Sequence, residues 1–101
     1  DVAQALIVTL EQYRGDRFFN ISSGTQTTIK ELYDTVVELT GFRGAVRWDT
    51  TRPDGQIFKG FDVSLMQQLI GYRCATPLRE GLQQTIKWFT ANYATPGAVR
   101  L

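Results

Sequence analysis

The chain has 101 residues, of which 43% are hydrophobic and 21% are charged, a composition typical of one soluble globular domain. Eleven basic and ten acidic residues give a net charge of +1, which argues against nucleic-acid binding and against attachment to a membrane surface. No apolar run approaches the ~20 residues that a transmembrane helix needs, and no basic, signal-like segment opens the sequence.

The reactive residue types exclude several kinds of chemistry. Histidine is absent, which removes histidine-dependent triads and histidine-based metal sites. Cys74 is the only cysteine, so no internal disulfide can form and a cytoplasmic location is expected. Because no histidine can activate it, Cys74 is expected to be a small apolar residue. Any catalysis would have to use carboxylates, lysine, tyrosine or serine, and no bound metal is expected.

The first predicted elements are a helix and a strand. Residues 2–14 place apolar side chains at helical spacing, with Asp1 as a suitable N-cap and Gly15 as a suitable C-terminal stop. Residues 17–21, RFFNI, are rich in strand-forming side chains. The amphipathic pattern begins at Asp1 itself, which predicts a piece of a longer polypeptide.

A second helix and strand follow. Thr28 and Glu31 match the capping box T-x-x-E, and the apolar spacing continues to a stop at Gly41. Residues 45–48, AVRW, predict another short strand.

The second half of the chain is predicted to be mainly helical. Residues 64–71 predict a short helix with a capping box that starts at Ser64. The last helix is expected to run to about Tyr93, with Thr76 as its N-cap, and residues 94–101 are expected to form a frayed tail. These elements predict an α+β fold in isolation, although so few short strands cannot make an independent sheet.

Two polar loops are candidate sites. Residues 20–27, NISSGTQT, precede a helix and could hold an anion, or could be a plain polar loop with a helix cap. In TRPDGQ, residues 51–56, Arg52 could bind a diphosphate and Asp54 a sugar hydroxyl, with Lys59 following. The alternative is a solvated turn with a surface ion pair.

The ordered set of motifs resembles the C-terminal part of extended short-chain dehydrogenase/reductases, the nucleotide-sugar epimerases and dehydratases. The motifs are DVAQALIVTLE, FFNISSGTQTTIKEL, TRPDGQ, DVSLMQQLIGY and TPLREGLQQTIKWFTANY. The resemblance covers residues 1–93, and the PDGQ loop with its following lysine is most similar to the GDP-L-fucose synthase branch. It implies that Asp54 contacts the nucleotide sugar and that Arg52 occupies a basic position near the diphosphate. It also implies a cap or loop-bracing role for Asp62 and a structural role for Asn20.

The resemblance further implies a parent enzyme whose N-terminal Rossmann domain binds NAD or NADP and whose tyrosine–lysine pair carries the chemistry. This sequence contains neither motif, since no tyrosine has a lysine four residues on. The expected function is therefore to bind a nucleotide-diphosphate sugar through Arg52, Asp54 and Lys59, without catalysis by this part alone. The alternative is a stand-alone α+β interaction or dimerisation module without sugar binding, and a homodimer fits either case.

Overall fold

The computed structural model describes residues 1–53 and 55–93. In this part of the chain, the four predicted helices are all present, each within about two residues of its expected bounds. They are α1 (Val2–Gln12), α2 (Ile29–Thr40), α3 (Ser64–Ile70) and α4 (Leu78–Asn92). Pro77, and not Thr76, is the N-cap of α4. None of the described helices is long and apolar enough to cross a membrane.

The described residues contain no β-strand, so the predicted α+β fold is not confirmed. The strands predicted over residues 17–21 and 45–48 are absent. Strand-forming side chains favour a pleated, half-buried surface, and a strand exists only where a second strand completes its hydrogen-bond ladder. The two segments belong to different compact units of the chain, and neither pairs with another described segment.

Unit 1 comprises residues 1–26 and 49–75, and its core lies where α1 packs on α3. Its buried apolar residues are Ala5, Met66 and Ile70. The Tyr72 hydroxyl donates a hydrogen bond to the backbone oxygen of Asp1 at 3.0 Å, which joins the two ends of the unit. Unit 1 is therefore built from sequence-distant pieces around a small core.

Unit 2, described over residues 27–48 and 76–93, is a packed pair of α2 and α4. Neither helix contains a buried residue. The rings of Tyr33 and Trp48 meet edge to face with centroids 5.7 Å apart, a geometry that aromatic pairs favour. Half-buried apolar contacts and this ring pair thus hold unit 2 together.

The capping box predicted before α2 is confirmed. The Glu31 backbone N–H donates to Thr28 Oγ1 at 3.1 Å, and the Thr28 backbone N–H donates to Glu31 Oε2 at 2.8 Å. Hydrogen bonds from the backbone and side chain of Thr28 lower the pKa of Glu31. The helix ends at Gly41, whose φ of 65° is the left-handed conformation that glycine adopts without a steric penalty.

The capping box predicted at Ser64 is wrong. Val63 is the N-cap of α3, and Ser64 is already helical. The Ser64 backbone N–H donates to Asp62 Oδ1 at 2.8 Å, so the carboxylate two residues earlier braces the helix start. A carboxylate accepts hydrogen bonds more strongly than a hydroxyl does, which favours Asp62 in this role. The cap or loop-bracing role expected for Asp62 agrees with this geometry.

Large apolar side chains remain uncovered on α1 and α4. Leu10 is 78% exposed on α1, and Trp88 is 53% exposed on α4. Other exposed apolar residues of these two helices are Val2, Leu6, Ile7, Leu78 and Phe89. An apolar surface of this kind on a folded helix is typical of an interface with further protein.

Candidate ligand-binding cavity

Unit 1 contains a cavity of about 300 Å³ between two polar segments of the chain. One wall is residues 22–26, from the hydroxyl-rich loop, and the other is residues 58–62, which lead into α3. The lining residues are Ser22, Gly24, Thr25, Gln26, Phe58, Lys59, Gly60, Phe61 and Asp62. The walls are more than thirty positions apart in sequence, so the tertiary structure creates the cavity.

The first wall is braced by its own hydroxyl groups. The Gly24 backbone N–H donates to Ser22 Oγ at 3.3 Å, and the Thr25 backbone N–H donates to Ser23 Oγ at 3.2 Å. Serine hydroxyls commonly stabilise tight turns in this way. Gly24 has a φ of 71°, which side-chain-bearing residues rarely adopt. The wall thus presents a compact series of hydroxyl and amide groups.

The second wall supplies one cation and one carboxylate. The Lys59 ammonium lies 5.9 Å from the centre of the Phe61 ring, at the outer limit of a cation–π contact. Hydrogen bonds from the side chain and backbone of Ser64 lower the pKa of Asp62, so this carboxylate is ionised at neutral pH. A positive and a negative group in one cavity suit a ligand that has both an anionic part and hydroxyl groups.

A hydrogen bond links the base of the loop to the second wall. The Asn20 side-chain amide donates from Nδ2 to the backbone oxygen of Asp62 at 3.4 Å. At this length the bond is weak. Asn20, to which the resemblance assigns a structural role, thus connects the segment just before the first wall with Asp62, the last residue of the second wall.

The arginine expected to bind a diphosphate has a partner in its own loop. Arg52 Nε lies 3.8 Å from Asp49 Oδ2, and the Arg52 side chain is 84% exposed. Asp49 Oδ1 accepts the Thr51 hydroxyl at 2.6 Å and the Thr51 backbone N–H at 3.0 Å, and these bonds lower the pKa of Asp49. Among the described residues, Arg52 is not part of the cavity wall. Asp54 lies outside the described residues.

The loop over residues 20–27 leads into the capped start of α2, as its polar composition predicted. The capping box at the start of α2 engages two backbone N–H groups: that of Thr28 bonds to the Glu31 carboxylate, and that of Glu31 bonds to the Thr28 hydroxyl. Residues 22–26 line the cavity that also contains Lys59. The hydroxyl-rich composition of the loop was the signal for this role, but nothing in the sequence paired it with Lys59.

The described part of the chain offers no metal site. No group of three or more Asp, Glu or Cys side chains is arranged to hold an ion there.

The chain is similar in sequence to several GDP-L-fucose synthases. The chain is 41% identical over 92 residues to the probable GDP-L-fucose synthase 1 of Oryza sativa subsp. japonica, covering 91% of this chain and 28% of that protein. It is equally similar, with the same coverage, to GDP-L-fucose synthase 1 of Arabidopsis thaliana. Identity to the GDP-L-fucose synthase of Escherichia coli (strain K12) is 37% over 73 residues, covering 72% of this chain and 22% of that protein. No protein-family model and no solved structure matches.

With the relatives as evidence, the chain belongs to the extended short-chain dehydrogenase/reductase family, as the order of its motifs predicted. Within that family, the relatives described above are all GDP-L-fucose synthases. The chain spans only 28% of the length of the plant relatives that it matches.

Proposed function

We propose that this chain is the nucleotide-sugar-binding part of a GDP-L-fucose-synthase-like, NAD(P)-dependent enzyme, and that the cavity of unit 1 holds the diphosphate. The proposal is based on one observation: Lys59 and the hydroxyl-rich residues 22–26 line the same cavity. The names of the relatives supply the class of ligand.

The chemistry of the two walls fits this ligand. A diphosphate needs several hydrogen-bond donors and a positive charge, and the loop hydroxyls and Lys59 supply them. Asp62 is ionised and repels phosphate, so its role is to accept a hydrogen bond from a hydroxyl of the ribose or the sugar. Phe58 and Phe61 provide apolar surface for a ring.

The size of the cavity limits what it holds. A volume of about 300 Å³ is at the lower end for ligand pockets, enough for a diphosphate and a neighbouring ring. The rest of a nucleotide sugar needs other groups. We assign Arg52 and Asp54 to that role, because the TRPDGQ loop precedes the second wall by only a few residues.

Catalysis is assigned to the rest of the enzyme. Hydride transfer needs NAD or NADP, and proton transfer needs a positioned acid or base such as the tyrosine–lysine pair. We therefore place residues 1–93 in a substrate-binding part and residues 94–101, which lie outside the described structure, in a tail. The cofactor belongs to an N-terminal Rossmann domain of the whole enzyme, which we expect to be cytoplasmic.

The uncovered apolar residues of α1 and α4 support a protein partner. Leu10 and Trp88 are both more than half exposed. We propose that the Rossmann domain of the same polypeptide covers α1, since the relatives extend well beyond the matched segment. The second candidate is self-association of this chain as a dimerisation module, which the same exposed residues favour.

These two candidates predict different effects of the substitution Leu10→Glu. If α1 serves an intramolecular contact, Leu10→Glu changes the thermal stability of the full-length protein and leaves its molecular mass in light scattering unchanged. If the chain is a dimerisation module, the isolated chain is a dimer that the same substitution dissociates.

Isothermal titration calorimetry of the full-length protein with GDP-L-fucose tests the binding function. Lys59→Gln removes the charge with little loss of volume, and we expect the dissociation constant to rise roughly ten- to hundredfold. Lys87→Gln, on exposed α4, is the matched control and should leave it unchanged. GDP without the sugar should lose affinity with Lys59→Gln as well. An unchanged affinity for both ligands would remove the cavity from the binding site.

A further inference from the structure

Gly24, in the first wall of the cavity, lies close to Val63, the residue that follows the second wall. A Cβ atom built on Gly24 would lie 3.1 Å from Val63 Cγ2, immediately beyond the second wall. That distance is shorter than ordinary van der Waals contact between carbon atoms. Two separate features therefore favour glycine at this position, the positive φ and the close approach of Val63.

Val63 is poorly able to move away. Its side chain is β-branched and therefore stiff about χ1. Its backbone is held as the N-cap of α3, where its carbonyl oxygen accepts the Gln67 N–H at 3.1 Å. The carboxylate of Asp62, the residue before it, accepts a hydrogen bond from the backbone N–H of Ser64, the residue after it. An added methyl group at residue 24 would consequently push the loop outward and would not be absorbed by Val63.

The loop on the other side is also braced. The Gly24 N–H is bonded to Ser22 Oγ, and the Asn20 amide reaches the backbone of Asp62. Displacing Gly24 would therefore shift the wall of residues 22–26 as a unit. The distance between the loop hydroxyls and Lys59 would then increase.

We propose that Gly24 is a positioning residue, which sets the separation of the two cavity walls through its contact with Val63 and so tunes the affinity for a nucleotide-diphosphate sugar. This inference depends on the binding function proposed above. A diphosphate must contact the loop donors and Lys59 at once, and hydrogen bonds weaken steeply beyond their normal length. Gly24 itself makes no contribution to the chemistry.

Calorimetric titration of the full-length protein with GDP-L-fucose tests the proposal. Gly24→Ala should raise the dissociation constant about tenfold, since small displacements of binding groups have effects of this order. Gly71→Ala is the matched control, because Gly71 is in the same unit, has a φ of 61° and has nothing within 4 Å of its Cβ position. It should lower thermal stability comparably and leave the dissociation constant unchanged.

A compensating substitution separates wall spacing from backbone strain. In Gly24→Ala/Val63→Ala the two methyl groups of Val63 are removed, and we expect affinity to return to within about threefold of wild type. If Gly24→Ala does not fold, Gly24→Asn serves instead, because asparagine tolerates the left-handed conformation while retaining a Cβ. Equal losses of affinity for Gly24→Ala and Gly71→Ala, or no recovery in the double variant, would overturn the proposal.

The Lys59→Gln variant keeps the two proposals distinct. If Lys59→Gln weakens binding and Gly24→Ala does not, the wall-spacing role is wrong and the binding function stands. If Lys59→Gln has no effect, the binding function of the cavity fails whatever Gly24→Ala shows.

Discussion

Arg79 and Glu38 form a two-point ion pair between α4 and α2. Arg79 Nη1 donates to Glu38 Oε2 at 2.8 Å, and Arg79 Nη2 donates to Glu38 Oε1 at 2.6 Å. Parallel hydrogen bonds of this kind fix the relative orientation of a guanidinium and a carboxylate. Because both side chains are more than half exposed, the pair sets the register of the two helices more than it adds stability.

Stability from this pair should depend on pH. Hydrogen bonds and charge attraction from Arg79 lower the pKa of Glu38 from its ordinary value of 4.5. A lowered folded-state pKa means that the stabilisation is fully present above pH 4.5 and is lost as pH falls through the folded-state value. Wild type should melt slightly above Glu38→Gln at pH 7, and the gap should close below pH 4.5.

Differential scanning calorimetry of the full-length protein between pH 7 and about pH 3 measures that gap. High salt should shrink it at neutral pH, because exposed charges are screened. Glu80→Gln is the control, since Glu80 accepts a hydrogen bond from the neutral Gln84 side chain. A gap between wild type and Glu38→Gln that does not vary with pH would contradict the ion-pair interpretation.

Loss of the confirmed capping box should destabilise α2. Thr28→Ala removes the oxygen that accepts the Glu31 N–H, and we expect a loss of about 1 kcal/mol of unfolding free energy. Thr28→Ser should retain most of the stability. Thr35→Ala is the control within the same helix, because alanine favours helix interiors and the change should be close to neutral. Urea denaturation measures all three, and equal effects of the two alanine substitutions would rule out a specific cap.

Shortening the largest fully buried side chain of unit 1 should have a larger effect. Met66 is 1% exposed, and Met66→Ala should cost about 2–5 kcal/mol through lost burial and a residual cavity. Met66→Leu conserves most of the volume and should cost less than about 1.5 kcal/mol. Urea denaturation with unfolding followed by far-ultraviolet circular dichroism, which reports on the helices of both units, measures both. Equal, small effects would show that α1 and α3 are not packed around Met66.

Binding measurements should show whether Lys59 or Arg52 contributes more to the affinity for the nucleotide sugar. Lys59 lines the cavity, whereas Arg52 is paired with Asp49 in its own loop. We therefore expect Arg52→Ala to weaken GDP-L-fucose binding by less than about fivefold, clearly less than Lys59→Gln does. Asp49→Asn should leave the affinity unchanged or improve it, because it releases Arg52. The reverse ranking of Arg52 and Lys59 in calorimetric titrations would move the diphosphate to the TRPDGQ loop.

The predictions from the sequence that proved correct depend on interactions between residues that are near each other in the chain. The apolar spacing and the Thr28–Glu31 box located α2, and Gly41 marked its end, because helix spacing and capping act within one or two turns. The family followed from the order of several such local motifs. The Ser64 box failed at the same short range, because Ser64 is already helical and the Gln67 N–H that the box needed bonds to the Val63 backbone oxygen.

Contacts between distant residues were decided by the tertiary structure alone. Strand propensity at residues 17–21 and 45–48 could not become a sheet, because a strand needs a partner that propensity does not specify. Likewise, composition marked residues 22–26 and Lys59 separately, but only the folding of unit 1 put them on one cavity. The sequence by itself determined the helices, the glycine stops of α2 and α3 and the family, whereas the stop of α1 is Tyr13 and not Gly15. The cavity arose from packing that brings remote segments of unit 1 together.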